Sequence, residues 1–245
     1  MFDRIAKYYD LITGPFDYRE LADCLDDLII LSGGKRTDLL DLGCGTSEEL
    51  TYFSQLGYKI SGVDISHPMI DISKNKLPEG HFEVQDMKEF SFEKKFDNII
   101  SVFDTVNYLT EPEDLLKCFK NVNRVLNIGG LFLFDFNSVH GLINDWEGVK
   151  IEETEDFFIS YDSQFDKDTK VLECKMKFFI KEKDGRFITF DETHHERGYS
   201  ADEIAELLKE SGLKIKKILP FLSRTETRNK KLNRYQVVAQ KKGEI

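Results

Sequence analysis

Thr37–Ser47 reads TDLLDLGCGTS. Leu39, Leu40 and Leu42 form a short apolar run, Gly43, Cys44 and Gly45 turn the chain, and Thr46 or Ser47 stands where a cap would precede a helix beginning at Glu48. The succession is strand, glycine turn, helix. Two glycines let a ligand lie against bare backbone at the carboxyl edge of a parallel sheet, where open α/β folds bind small molecules. About 20 residues on, a second apolar run (Tyr58, Ile60, Val63) ends in Asp64, placed to accept hydrogen bonds from both hydroxyls of a ribose. A nucleoside site is expected.

Charge indicates which nucleoside. The dinucleotide fingerprint G-x-G-x-x-G rests a diphosphate on a helix N-terminus. Here the third glycine position is Glu48, with Glu49 beside it. Two carboxylates in a first helical turn suit the helix dipole but repel a diphosphate docked there. Asp41 adds another negative charge at the mouth. A nucleoside with a cationic tail fits better, and S-adenosylmethionine, carrying a sulfonium and an ammonium, is such a molecule. A nicotinamide-dependent oxidoreductase is the disfavoured rival.

Asp41-Leu-Gly-Cys-Gly-Thr-Ser47 resembles the glycine-rich motif of class I S-adenosylmethionine-dependent methyltransferases, D-x-G-x-G-x-G, with Ser47 in place of the third glycine. Gly62-Val-Asp64-Ile65-Ser66 with Met69 resembles the acidic ribose motif and the apolar residue flanking adenine. Gln85-Asp86-Met87 is similar to the adenine-edge motif, and Phe96-Asp97 through Tyr108 to the fourth-strand motif whose loop faces the substrate. These motifs span residues 1–137. The resemblance implies S-adenosylmethionine as methyl donor, held by Asp41, Gly43, Cys44, Gly45, Asp64, Ile65, Met69, Asp86, Met87 and Phe103. It also implies that the Tyr9-Asp10 element folds over the cofactor, with Tyr18 assisting. The implied acceptors are small molecules, amino sugars among them.

A chain of 245 residues can form one α/β domain with an insertion or two small domains. A net charge of −11 argues against a general nucleic-acid binder. Cys24, Cys44, Cys118 and Cys174 show neither zinc-site pairing nor the density of a disulfide scaffold, so buried reduced thiols and no metal are expected. The N-terminus MFDRIAKYYD lacks a signal-like apolar core, and no apolar run approaches the roughly 20 residues needed to span a bilayer. A soluble, cytoplasmic protein is the expectation.

The remaining pattern reads as a Rossmann-like, doubly wound α/β fold with a mostly parallel sheet and an antiparallel β insertion after strand five. A helix opens at Asp17. Helices are expected over Glu48–Leu56, His67–Lys76 and from Glu111-Pro112, and strands at His81–Gln85, Phe96–Val102 and Leu131–Phe134. From Val149 to Arg197 three β-rich runs replace helical periodicity: Phe157–Phe165, Val171–Lys183 and Phe187–His195, with a hairpin signal at Asp184-Gly185. A capping box at Ser200–Glu203 starts the last helix, and Leu213–Phe221 with Tyr235–Gln240 closes the sheet. The expected division is 1–137 for the N-terminal helical segment and cofactor core, 138–198 for an insertion acting as lid or substrate wall, and 199–245 for the closing elements.

On the acceptor side, Asp104, Asn107 and Tyr108 follow strand four, and Asp135 and Asn137 end strand five. Asn107, Asp135 and Asn137 are candidate substrate contacts, and Tyr108, Asp104 and His195 are candidate bases should the acceptor need to lose a proton. In His194-His195-Glu196-Arg197, strand alternation puts His194 and Glu196 on one face and His195 and Arg197 on the other. Arg224, Arg228, Lys230, Lys231 and Arg234 form a basic run, suited to an anionic substrate or RNA or to a solvated loop. Glu152, Glu153, Glu155, Asp156, Asp162, Asp166 and Asp168 give the insertion the opposite sign, favouring a cationic acceptor such as an amine. The leading expectation is methyl transfer to a nitrogen or oxygen of a small molecule. The alternatives are a non-catalytic protein that binds S-adenosylmethionine or S-adenosylhomocysteine, and an RNA methyltransferase.

Overall fold

The computed structural model describes residues 2–227, 229 and 231–243. A single 3-10 turn, Ala6–Tyr8, and a short helix α1 (Tyr9–Thr13) precede α2 (Tyr18–Leu31), whose first turn is capped by the Asp17 carboxylate accepting from Glu20 N. Then come β1 (Asp38–Leu42), α3 (Glu48–Gln55), β2 (Lys59–Asp64), α4 (His67–Lys76), β3 (His81–Val84), β4 (Phe96–Ser101), α5 (Pro112–Val125) and β5 (Leu126–Asn137). After the brief helix α6 (Val139–Gly141), the chain forms β6 (Gly148–Glu153), β7 (Phe157–Asp166), β8 (Val171–Lys181) and β9 (Phe187–Arg197). It returns through α7 (Ala201–Glu210), β10 (Leu213–Pro220) and β11 (Arg234–Lys241).

Seven strands make one sheet in the order β10-β11-β5-β4-β1-β2-β3. β3, β2, β1, β4 and β5 pair in parallel, and β11 runs antiparallel between β5 and β10. The α/β expectation therefore holds. Chain order reverses between β1 and β4, so their carboxyl ends flank the crevice where such folds bind ligands. Leu39, Leu40 and Leu42 are all completely buried, as a strand covered on both faces requires. One core holds Phe119, Phe132 and Phe134 beneath α5, and the other holds Leu25, Leu28, Phe53 and Leu133 beneath α2 and α3. Each such side chain contributes about 1.5–3 kcal/mol through burial. Strand five begins earlier than Leu131: β5 starts at Leu126, and its register against β4 jumps from Phe96↔Leu126 to Asn98↔Leu131, so the two glycines sit in a bulge.

The second sheet is antiparallel with order β6-β7-β8-β9, four strands rather than the three expected. Its additional strand lies at the edge and is almost wholly solvent-facing, with Val149 72% and Ile151 62% exposed. Phe157, Ile159, Phe178, Ile180 and Phe190 from this sheet pack with Ile5 and Ala6 of the N-terminal segment and Met69 of α4. The N-terminal segment is thus packed between the second sheet and α4. The four cysteines are buried free thiols, and no helix among the described residues is long and apolar enough to cross a membrane.

Candidate active site

The turn after β1 is built from left-handed backbone. Gly43 has φ +77° and Gly45 φ +48°. At Gly43 a Cβ would stand 2.3 Å from Thr105 Cγ2, so glycine is required sterically as well as conformationally. Ser47, where the resembling motif has glycine, also lies in the left-handed region at φ 61°. Contrary to expectation it does not cap α3 with its side chain. Its Oγ donates to Ser73 Oγ (2.8 Å), which donates to the Gly45 carbonyl (2.8 Å), so α4 clamps the turn from below. Thr46 does not cap either: its Oγ1 donates to Asp10 Oδ1 at 2.5 Å, joining the turn to the N-terminal segment.

Asp64 ends β2 as the spacing predicts. One carboxylate oxygen accepts from Gly45 N (2.9 Å) and the other from Ser66 N (2.8 Å). An ionised carboxylate offers about four lone-pair sites, and with the Ile65 N–H also contributing, Asp64 keeps capacity for a further donor. Burial pushes Asp64 above the ordinary carboxylate value, with these backbone bonds opposing it.

Asp41 is completely buried, and its oxygens meet no donor except a proton shared with the neighbouring carboxyl of Glu49. Its neighbour is another buried acid, Glu49. Burial first, and then the Glu49 charge, raise Asp41 well above its ordinary value, and burial raises Glu49 as well. Such a pair is satisfied by sharing a proton or by receiving a cation. Glu48 differs from its neighbour: Lys76 Nζ bridges it (2.7 Å) to Asp10 (2.8 Å). The anionic character at the head of α3 therefore rests on Asp41 and Glu49, not on the two adjacent glutamates together.

The N-terminal segment covers this turn. Tyr9 Cε1 lies 4.0 Å from where a Gly45 Cβ would be, and Ser66 Oγ donates to Asp3 at 2.6 Å. Phe103, left-handed at φ 57°, packs edge-on against Phe16 and Tyr18. Ile65 leaves an apolar side chain 59% exposed beside Asp64. Four other residues expected at the cofactor have side chains that make contacts within the protein. Met69 is 1% exposed in the cluster under the N-terminal segment. The Cys44 thiol turns inward against Gly62, leaving only its backbone at the turn. Asp86 accepts from Lys88 N (2.9 Å) in a turn, with Lys88 Nζ 3.6 Å from its other oxygen, while Met87 packs on the core.

Across the crevice, Asp104 N donates to Asp135 (2.9 Å) and Asn137 Nδ2 donates to Asp104 (2.8 Å). Arg234 from β11 holds both acids, with Nη2 2.6 Å from Asp135 and 3.0 Å from Asp104. Glu196 joins them, raised well above its usual value by burial and then by Asp104. Burial likewise pushes Asp135 up to about 6, with Arg234 pulling against it. Asn107 is a strut: its amide donates to the Asn137 and Arg197 carbonyls (2.8 Å each) and accepts from Asn137 N (2.9 Å). Those bonds consume both of its donors and remove it from the substrate contacts.

The histidine expectation is corrected. His195 lies on the exposed face of β9 beside Glu173 (3.2 Å), because alternation turned its neighbour inward. His194 is 5% exposed and its Nδ1 lies 2.9 Å from the Tyr108 hydroxyl. Ser73 and Glu192 carry no sequence signal of their own, although the alternation Glu192, His194, Glu196 marks one face of β9; Glu49 stands by the turn as its charge suggests, and Arg234 leaves the basic run to pair with Asp104 and Asp135. The basic run is not a free patch: Arg224 bonds Asp27 (2.6 Å) and Glu20 (3.0 Å), and Arg234 is buried among acids. Arg228 and Lys230 of that run lie outside the described residues.

Residues 39–130 match the sequence profile of a family described as a methyltransferase domain. YqeM of Bacillus subtilis, whose name assigns it provisionally to the methyltransferases, is 30% identical over 231 residues, 92% of each chain. The crystal structure of an S-adenosylmethionine-dependent methyltransferase from Clostridium acetobutylicum is similar at a TM-score of 0.86, with 28% identity over 96% of both chains. A dTDP-3-amino-3,4,6-trideoxy-α-D-glucopyranose N,N-dimethyltransferase from Streptomyces venezuelae is 28% identical over 132 residues, 53% of this chain and 56% of its own. The paired Asp41 and Glu49 carboxyls suit a cationic group, and a diphosphate at the same place would meet two buried acids. The chain belongs to the class I S-adenosylmethionine-dependent methyltransferases, with S-adenosylmethionine as its methyl donor.

Proposed function

We propose that this enzyme methylates the nitrogen of a small-molecule amine, an oxygen nucleophile being the second choice. The observation that carries the reading is the charge imbalance on the acceptor side, where Asp104, Asp135 and Glu196 converge on one cation, Arg234. A wall with more carboxyl groups than cations attracts an ammonium and repels an anion. The partial likeness to an amino-sugar N,N-dimethyltransferase supports the same class. An RNA acceptor draws no support from the paired Arg224 and Arg234.

In this reading Asp64 holds the ribose, Asp41 with Glu49 receives the ammonium, Ile65 flanks adenine, and Gly43 and Gly45 admit the methionine end against backbone. Tyr9 and Phe103 close over it. The bound donor supplies a methyl group on a sulfonium. The chain's own work is to hold the acceptor nitrogen in line with that methyl and to exclude water, which together account for most of the acceleration in such displacements. The stretch 138–198 provides the outer wall of the acceptor pocket, with the inner face of β9 turned towards Tyr108.

The test is mass analysis after incubating the enzyme with isotope-labelled S-adenosylmethionine and an acceptor panel: dTDP-amino sugars, simple primary amines, hydroxy acids and a structured RNA. N-methylated small molecules are expected. Label confined to RNA or to hydroxyl acceptors overturns the proposal.

A further inference from the structure

Three groups, His194 buried and Tyr108 and Glu192 partly so, stand in line beside the acceptor wall. Tyr108 Oη lies 2.9 Å from His194 Nδ1, and His194 Nε2 lies 2.9 Å from Glu192 Oε2. The His194 and Glu192 side chains are only 6% and 7% exposed. Phe2 seals the line: its ring packs edge-on against both Tyr108 and His194, and its backbone N–H donates to Glu192 at 3.3 Å. We propose that Tyr108, His194 and Glu192 form a proton relay that accepts the proton an ammonium acceptor must lose before methylation. The inference rests on the amine reading above.

The hydrogen bonds fix the direction of transfer. Glu192 is held below its usual carboxylate value: burial alone would raise it, but bonds from His194 and from the backbone of Phe2 and Ile5 outweigh burial. An ionised Glu192 accepts only, so a neutral His194 bonded to it carries its proton on Nε2 and leaves Nδ1 bare to accept from the Tyr108 hydroxyl. Burial holds the Tyr108 phenol well above its ordinary value, so Tyr108 conducts the proton without becoming a phenolate. In the transfer the acceptor's N–H bond breaks and its electron pair stays on nitrogen. The proton passes to Tyr108 Oη while the phenol's own proton passes to His194 Nδ1. The imidazolium so formed is stabilised by Glu192 and later gives its proton to water. The freed pair on nitrogen forms the C–N bond as the S–C bond breaks, and the S–C pair remains on sulfur.

The groups facing this line are few. Glu196 lies two residues further along β9, Cys174 is the cross-strand neighbour of His194 on β8, and Asp104 and Tyr9 approach Tyr108. His194 and Glu192 act through Tyr108 and are positioning residues.

The test has two arms on the full chain. With S-adenosylhomocysteine present, 15N-imidazole spectra assign His194 by its loss in His194→Gln. The Nε2–H tautomer is expected at pH 7.5, with its resonances shifted in Tyr108→Phe. An Nδ1–H tautomer, or resonances that ignore Tyr108→Phe, overturns the relay. In the second arm a dTDP-3-amino sugar is the probe. Glu192→Gln and Tyr108→Phe should each lower kcat about 100-fold, within the usual range for general acid–base assistance, with KM within about twofold. Glu192→Gln should also move the acid limb of the kcat profile to lower pH, because the imidazolium loses its carboxylate. Wild-type kcat and an unmoved limb in both variants overturn the relay and leave the amine reading intact. If hydroxyl acceptors alone are methylated, the amine reading fails, and the same variants read on the hydroxyl substrate decide the relay.

Discussion

Replacing Asp41 by asparagine should weaken cofactor binding while leaving the empty protein as stable as before or more so. The two effects separate because this carboxyl, fully buried, has for its hydrogen-bond partner another acid, Glu49, a contact that an asparagine amide can replace by donating to the Glu49 carboxylate. Burial and the Glu49 charge raise Asp41 above its ordinary 3.8, so the ionised form costs the folded state stability at neutral pH. That cost fades as pH falls through the raised folded value towards the unfolded one. Asparagine removes it, and any stability gain at pH 7.5 should vanish near pH 4. On the proposed assignment the carboxylate gives the donor's ammonium a charge-assisted hydrogen bond worth about 1.5–3 kcal/mol, so Kd should rise roughly 10- to 150-fold. S-Adenosylhomocysteine carries the same ammonium and should lose a similar factor. Calorimetry with both ligands, alongside thermal denaturation of the empty protein, measures both sides. Unchanged affinity combined with a clear loss of stability in Asp41→Asn would show that the carboxyl serves the fold and would refute the electrostatic assignment.

Asp64→Ala should weaken S-adenosylmethionine binding by roughly 1–3 kcal/mol, the scale of lost charge-assisted bonds, as read by calorimetry; unaltered affinity in a folded variant removes Asp64 from the site. Arg234→Met should destabilise the protein by about 3–5 kcal/mol at pH 8, because the Asp104 and Asp135 charges lose their cation. Since Asp135 sits at about 6 and Glu196 is also raised, both take up protons as pH falls, so the deficit measured by denaturation should shrink by pH 5; an equal deficit at both pH values contradicts this. Gly43→Ala should cost about 2 kcal/mol or more, combining the left-handed φ with the 2.3 Å encounter with Thr105 Cγ2. Adding Thr105→Ser, which deletes that methyl, should recover part of the loss in urea denaturation and not all of it.

The parallel core was legible because its strands are short, nearly continuous apolar runs set between amphipathic helices with caps and stops. β6 was not, because a strand at the edge with both faces wet needs no alternation: Val149 and Ile151 face solvent. Alternation placed His194 and His195 on opposite faces, but which face turns inward is decided by the packing of β9 against the loop after β4, a contact between residues 86 apart in sequence. Asp41, Gly43, Gly45 and Asp64 could be located from spacing because the strand ends fix them. Cys44, Met69 and Asn107 could not be judged alike, since only tertiary contacts show that their side chains serve packing or backbone bonds. Ser47 is the informative departure: a glycine-like φ is held in a serine because Ser73 supplies a buried hydroxyl partner.

The N-terminal segment ties the two halves of the site into one closing unit. Asp10 bonds Thr46 of the glycine turn and Lys76, Asp3 bonds Ser66 beside the ribose carboxylate, and Phe2 bonds Glu192 and packs on Tyr108 and His194. Residues 2–10 therefore touch both the glycine turn and the Tyr108–His194 pair. Exposed pairs of this kind are each worth at most about 1 kcal/mol, and Asp10 is 46% exposed, so the polar contacts direct closure without locking it. The apolar contribution comes from Ile5 and Ala6 against Phe157, Ile159 and Phe178, on the same wall that carries His194. One segment thus contributes to the surroundings of both the glycine turn and the Tyr108–His194 pair, so truncating Phe2 to alanine is expected to disturb the His194 resonances as well as the acceptor kinetics.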